Sequence, residues 1–127
     1  MSYKTKSYLV IDDMKVLRNI IVKSLVKFGI DKSKVFDAEN GLEALKILAT
    51  ENIDLIISDL NMPELDGLGL LKKCKSSPKL KNIPFIMLTS EAEREKIIIA
   101  RDLGVDGYLL KPVQTEQLFL RINRFFV

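Results

Sequence analysis

The chain has 127 residues, 47% of them hydrophobic and 29% charged, with a formal charge of +3, one cysteine and no histidine. The absence of histidine excludes Ser-His-Asp and Cys-His catalysis and histidine-ligated zinc, and the dispersed lysines argue against nucleic-acid binding. No apolar run is long enough to cross a bilayer, and residues 1–7 lack the apolar core of a signal peptide. The single cysteine cannot form an internal disulfide, which agrees with a reducing compartment. We therefore predict a single cytoplasmic domain over 1–127, without membrane attachment.

Short apolar runs alternate with amphipathic segments from one end of the chain to the other. The runs predict strands over 8–11, 35–38, 55–58, 85–88 and 108–110. The segments between and after them predict helices near 17–28, 42–48, 68–76, 91–103 and 115–126. Gly29 and Gly104 suit positions just past two of these helices, and Ser77-Pro78 stops the third helix.

This alternation predicts a doubly wound α/β fold of (βα)5 type. The first, third and fourth strands are continuously apolar and lack a period of two, which is typical of parallel strands buried on both faces. The five-stranded parallel sheet of this class has the order 2-1-3-4-5. We therefore expect the ends of strands 1, 3, 4 and 5 to be successive neighbours.

Polar residues follow those four strands. Asp12-Asp13, Asp59, Thr89 and Lys111 stand at the carboxyl ends of strands 1, 3, 4 and 5. In open α/β sheets ligands bind beyond these ends, at the point where the strand order reverses. The sequence therefore predicts three carboxylates, a hydroxyl and an ammonium on one rim of the sheet.

The chemistry of this rim favours a divalent cation and a phosphoryl group. Crowded carboxylates raise one another's pKa, and a hard cation such as Mg²⁺ removes that cost. Asp13 and Asp59 can bind the cation directly, with Asp12 acting through water. The Asp59 carboxylate can also act as a nucleophile and form an acyl phosphate. Lys111, Thr89 and backbone N–H groups after Asp59 would then contact the phosphoryl oxygens.

Each of these residues also has a purely structural interpretation. The structural interpretations are a helix cap at Asp12-Asp13, a turn at Asp59, a cap at Thr89 or Ser90 with Glu93 completing a capping box, and an ordinary surface lysine at Lys111. None of them explains why these residue types share one edge of the sheet.

Four sequence motifs carry a family resemblance. They are VIDD at 10–13, SDLNMPELDG at 58–67, Thr89-Ser90-Glu91, and GYLLKP at 107–112. Their combination resembles the receiver domain of two-component response regulators, with its CheY-like, flavodoxin-like fold, over essentially the whole chain.

This resemblance implies a role for each residue at the rim. Asp59 is implied to accept a phosphoryl group from a histidine kinase or a phosphotransfer protein. Asp12 and Asp13 match acids that hold Mg²⁺ or Mn²⁺ together with Asp59 and the backbone carbonyl of Asn61.

The resemblance also implies which residues respond to the phosphoryl group and which affect its loss. Thr89 matches the switch hydroxyl, Lys111 the phosphate-binding lysine and Tyr108 the switch aromatic. Asn61 and Glu91 match positions whose side chains, in the family, affect the rate at which the phosphoryl group is lost. The Lys111–Pro112 bond is similar to one that is cis in the family, and Val113 departs from a frequent phenylalanine.

Stand-alone receivers of the chemotaxis type are the nearest resemblance within the family. It implies an output partner, such as the flagellar switch, that binds the face of the fourth helix, fifth strand and fifth helix. The runs 97–99 and 118–120 are too apolar for one buried stripe, so we expect exposed residues from each near Tyr108, with Ile98 and Phe119 as test positions. A monomer and a phosphorylation-dependent homodimer stay open.

The sequence leaves two alternatives open and argues against two others. The chain could be a receiver excised from a larger regulator, or an adaptor that works without phosphorylation. An aspartyl-phosphate phosphatase typically has two aspartates separated by one residue after the first strand, whereas Asp12 and Asp13 are adjacent. A flavin protein would need a phosphate-cradling loop there, which is missing. We expect a phosphoacceptor that loses its phosphoryl group by its own chemistry, not an enzyme in the turnover sense.

Overall fold

A computed structural model describes residues 2–126 of the chain. Its strands form one parallel sheet in the predicted order 2-1-3-4-5. The strands are β1 (Tyr8–Ile11), β2 (Val35–Ala38), β3 (Leu55–Asp59), β4 (Phe85–Thr89) and β5 (Gly107–Leu110). The helices are α1 (Lys15–Lys27), α2 (Gly41–Thr50), α3 (Gly67–Ser76), α4 (Arg94–Asp102) and α5 (Thr115–Phe125).

The sheet is buried on both faces at its centre. Every residue of β1, β3 and β4 is buried, whereas the edge strands β2 and β5 are partly exposed. Alternate residues of β1 and β3 enter two separate apolar clusters, because successive strand side chains point to opposite faces. Helices α2, α3 and α4 cover one face, and α1 and α5 cover the other. The doubly wound prediction is confirmed.

Local signals set most helix ends where the sequence indicated. Gly29 and Gly104 have φ of 98° and 93°, the left-handed conformation that glycine adopts without a Cβ penalty, and they follow α1 and α4. The side chain of Asn40 accepts the N–H of Glu43 at 2.9 Å and caps α2. These caps satisfy backbone groups that a helix end leaves without partners.

The fourth helix begins later than the predicted residue 91. A single 3-10 turn, Glu91–Glu93, separates β4 from α4. Its hydrogen bond runs from the Glu93 N–H to the Ser90 carbonyl at 3.0 Å, the i to i+3 pattern of that geometry. The alternative that Ser90 and Glu93 form a capping box is confirmed, and the box closes this turn.

One apolar residue of the fifth helix was misplaced by the sequence reasoning. The Phe119 ring packs edge-on against Tyr3 and Phe28, with centroid distances of 5.3 and 5.1 Å. Phe119 therefore faces the chain's first residues and α1, and the expectation that it belongs to the output face is wrong. Leu120 is the exposed member of its run, at 59%. Among the helices of residues 2–126, none has the length and apolar character needed to cross a bilayer.

Candidate functional site

The predicted rim is present at the carboxyl ends of the strands. β1 and β3 are hydrogen-bonded neighbours, so Asp12, Asp13 and Asp59 come together, with carboxylate oxygens within 4.8 Å of one another. Lys111 follows β5 and places its Nζ 2.5 Å from Asp59 Oδ1. Asp59 is 5% exposed, whereas Asp13 is open to solvent. The site therefore has a buried carboxylate, that of Asp59, with an exposed acid, Asp13, at its mouth.

Main-chain contacts hold Asp12 in place. Its N–H donates to the Ala38 carbonyl at 3.1 Å, and its Oδ1 accepts the Met14 N–H at 2.9 Å. Met14 is the N-cap of α1, and no side chain caps this helix within the described chain. The interpretation of Asp12-Asp13 as a helix cap is therefore wrong.

Arg18 of α1 is a supporting residue for which no role was predicted from the sequence. Its Nη1 donates to the Asp12 carbonyl at 2.7 Å, and its Nε pairs with Asp37 Oδ2 at 2.8 Å. The guanidinium thus ties the end of β1 to β2 through a fixed fork of donors. An arginine about one helical turn after an acidic pair is a signal that could have indicated this contact.

One carboxylate oxygen of the site has no partner. Asp12 Oδ2 is buried, and nothing in residues 2–126 donates a hydrogen bond to it. A buried unsatisfied acceptor is costly, and a hard cation bound to oxygen ligands would remove that cost. The donor set of three carboxylates suits Mg²⁺ and also Mn²⁺. These residues fit a divalent cation.

Burial dominates the electrostatics of both inner acids. Burial raises the pKa of Asp59, the hydrogen bond and charge of Lys111 act against it, and the charge of Asp12 raises it further. Burial also raises the pKa of Asp12, while the Met14 N–H opposes the shift. One ammonium in contact does not compensate for this cluster, so the site attracts further positive charge.

Gly67 lets the start of α3 lie against the main chain of Asp59 and Leu60. A Cβ there would stand 2.4 Å from the Asp59 carbonyl oxygen and 2.9 Å from Leu60 Cα. The Gly67 N–H also donates to the Leu60 carbonyl at 2.9 Å. This need for glycine was not predicted, because close approach of two main chains leaves no trace in a local sequence pattern.

The predicted switch residues lie at the ends of β4 and on β5. The Thr89 side chain is fully buried, and its Oγ1 is 3.4 Å from the Ser90 carbonyl and 3.5 Å from Glu93 Oε1. Tyr108 is 41% exposed on β5. The Lys111 N–H donates to the Thr89 carbonyl at 2.7 Å, and the Lys111–Pro112 bond is cis, as the resemblance implied.

Asn61 has partners that the sequence did not indicate. Its Nδ2 donates to Glu93 Oε2, and its Oδ1 accepts from Lys96 Nζ at 2.9 Å. Glu91, its expected companion, has an exposed side chain. The role of the Asn61 carbonyl as a metal ligand and the tuning role of Asn61 and Glu91 stay predictions.

Comparison with known proteins agrees with this geometry. Residues 8–123 match the family described as response regulator receiver domain. The chain is 35% identical over 123 residues to the chemotaxis protein CheY-3 of Vibrio cholerae, covering 97% of this chain and 93% of that protein. It is 36% identical over 118 residues to the chemotaxis protein CheY of Pseudomonas aeruginosa, covering 93% and 94%. The solved structure of CheY4 of Vibrio cholerae superposes with a TM-score of 0.84 at 32% identity, covering 94% of this chain and 97% of that one. The chain belongs to the response regulator receiver family.

Proposed function

We propose that Asp59 accepts a phosphoryl group from a histidine kinase or a phosphotransfer protein, and that this change alters the affinity of the domain for an output partner. One observation carries the proposal. The Asp59 carboxylate lies between the Lys111 ammonium, 2.5 Å away, and the acids Asp12 and Asp13, within 4.8 Å. A buried nucleophile with a cation on one side and a cation-binding pair on the other is suited to phosphoryl transfer.

The proposed reaction follows from the groups present. An Asp59 oxygen attacks the phosphorus of a phosphohistidine, forming an O–P bond as the P–N bond breaks. Lys111 and the backbone N–H groups after Asp59 balance charge on the phosphoryl oxygens. Mg²⁺ or Mn²⁺ held by Asp12, Asp13 and Asp59 would supply further charge neutralisation. Water later cleaves the acyl phosphate and returns the carboxylate and inorganic phosphate, so the proposed role is that of a phosphoacceptor, not of an enzyme in the turnover sense.

The proposed output surface is the face of α4, β5 and α5. Tyr108, Leu110 and Leu120 line an open groove between β5 and α5, and each is more than two-fifths exposed. Ile98 and Ile99 are about half exposed on α4. Exposed apolar clusters of this kind favour a protein partner. The names of the chemotaxis relatives support a chemotaxis role. We propose that the protein acts in the cytoplasm, with a flagellar switch component as the partner to test first.

Phosphorylation is tested by intact mass. Incubation with a small phosphodonor and Mg²⁺ should add the mass of one phosphoryl group to the parent and none to Asp59→Asn. EDTA should abolish the addition. Labelling of the Asp59→Asn variant at the parent's rate would refute the assignment of the acceptor.

Partner binding and self-association need separate measurements. Beryllofluoride, a phosphoryl mimic, should increase capture of the output protein by the parent but not by Asp59→Asn. Light scattering of the protein alone, with and without beryllofluoride, detects a homodimer without any added partner. Capture that is equal in all samples would favour an adaptor independent of phosphorylation.

A further inference from the structure

The carboxylate of Glu93 joins two loops of the acceptor site. Its Oε2 accepts from Asn61, which stands two residues after Asp59. Its Oε1 accepts from the Ser90 N–H at 3.2 Å and from the Ser90 hydroxyl at 3.0 Å. Ser90 directly follows Thr89 at the end of β4. Because β3 and β4 are paired neighbours, Glu93 bridges the loops that follow them.

A helix cap alone does not account for these contacts. A capping box needs only the reciprocal bonds of Ser90 and Glu93. Asn61 comes from a different loop, and Lys96 Nζ fixes its other side-chain atom, Oδ1, at 2.9 Å. Both polar ends of the Asn61 amide are therefore occupied by residues of the 3-10 turn and α4. The bridge acts on the acceptor loop as well as on the helix start.

We propose that Glu93 is a positioning residue that holds the acceptor site in its unphosphorylated arrangement. The proposal rests on the proposed function and on the predicted contact of the Thr89 hydroxyl with a phosphoryl group on Asp59. That hydroxyl now lies 3.5 Å from Glu93 Oε1 and 3.4 Å from the Ser90 carbonyl.

Contacts present in one state only bias the equilibrium toward that state. To reach Asp59, the Thr89 hydroxyl must leave Glu93, and the loop after β4 must move relative to Asn61. Weakening the bridge should therefore favour the phosphorylated arrangement.

The direct test is the affinity for beryllofluoride in the presence of Mg²⁺. Glu93→Gln keeps the size of the side chain but has one acceptor oxygen where the carboxylate uses two. We expect it to bind beryllofluoride about fivefold more tightly, the effect of one lost hydrogen bond in the resting state. Glu95→Gln makes the same charge change on the exposed first turn of α4 and should keep the parent's affinity.

A double-mutant cycle separates the bridge from a general effect of charge or capping. In an Asn61→Ser background the bridge from Asn61 is already missing, so Glu93→Gln should change the beryllofluoride affinity little. A pure charge or cap effect would be equally large in both backgrounds. Urea unfolding of each variant reports the cap contribution independently. An unchanged affinity in Glu93→Gln, or an equal effect in both backgrounds, overturns the positioning role.

The bridge itself can be observed without any phosphoryl chemistry. The side-chain amide signals of Asn61 in a ¹H–¹⁵N spectrum are identified by their loss in Asn61→Ser. They should shift in Glu93→Gln and stay in place in Glu95→Gln. If these signals do not shift, the bridge is absent in solution. A parent that neither accepts a phosphoryl group nor binds beryllofluoride refutes the proposed function and the positioning role with it, even where the amide shift is observed.

Discussion

Substitution of Gly67 by alanine tests whether close contact between the main chains of α3 and Asp59 positions this proposed acceptor. Gly67 is the first residue of α3, and an added Cβ would lie 2.4 Å from the Asp59 carbonyl oxygen and 2.9 Å from both Leu60 Cα and Met87 Sδ. Ordinary contacts begin at 3.4 Å, so the two main chains must separate by about 1 Å. The nearest atom belongs to backbone and cannot rotate away.

The expected magnitude follows from two opposing effects. Forcing one extra carbon into a packed region costs about 1–3 kcal/mol. Alanine in place of glycine in a helix returns at most about 1 kcal/mol. We therefore expect Gly67→Ala to lower the free energy of unfolding by about 1–2 kcal/mol. It should also slow labelling of Asp59, because the main chain that is pushed away is that of Asp59, the proposed acceptor.

Gly69→Ala is the matched control on the same helix. Its Cβ would lie 2.6 Å from Leu65 Cδ1, the far end of a flexible side chain that can turn aside. We expect Gly69→Ala to raise the free energy of unfolding by at most about 1 kcal/mol, the helix-propensity gain alone, and to leave labelling unchanged. Urea unfolding in EDTA and intact-mass labelling compare the two variants. The reasoning fails if Gly67→Ala is no less stable than Gly69→Ala.

Three further predictions concern charge at the site and the apolar output face. Burial raises the pKa of Asp12 above the ordinary 3.8, so ionising it destabilises the metal-free fold. In EDTA, Asp12→Asn should thus be more stable than the parent at pH 7. Denaturant titrations should show this advantage shrinking as pH falls through the raised pKa and vanishing below the ordinary one. Mg²⁺ should raise the parent's melting temperature, and Asp13→Asn should lose most of that rise; a full rise in the variant would remove Asp13 from the metal site. Charged substitutions at Ile98 and Leu120, which are 53% and 59% exposed, should weaken partner capture and leave labelling of Asp59 intact. Normal capture by both variants would place the output surface elsewhere.

The sheet and its polar rim were predictable because their signals are local. A continuous apolar run such as 85–88 leaves few options besides a buried strand, and the residue after it must stand at the strand end. Once the order of the strands is known, parallel geometry brings Asp59, Asp12 and Lys111 together without further information. The proximity of these three side chains is therefore predictable from the sequence.

Contacts between distant segments could not be predicted in the same way. Phe119 and Leu120 are adjacent and both apolar, and only the position of Phe28 and Tyr3 decides which of them packs against other rings and which is exposed. Glu93 was identified as a cap because Ser90 lies at the right local spacing. Its contact with Asn61 spans 32 positions in sequence and depends on the pairing of β3 with β4. Such pairings have no local pattern.

Lys111 contacts both Asp59, through its ammonium, and the end of β4, through its main chain. Its Nζ lies 2.5 Å from Asp59 Oδ1, while its N–H donates to the Thr89 carbonyl at 2.7 Å. A phosphoryl group on Asp59 would draw the ammonium toward new oxygens, and the same residue anchors the end of β4 and follows the strand that carries Tyr108. The strands β1, β3 and β4 are buried along their length and close-packed, so they resist displacement. We therefore expect the response to charge at Asp59 to be concentrated in the loops after the strands, where Thr89, Glu93 and Asn61 meet.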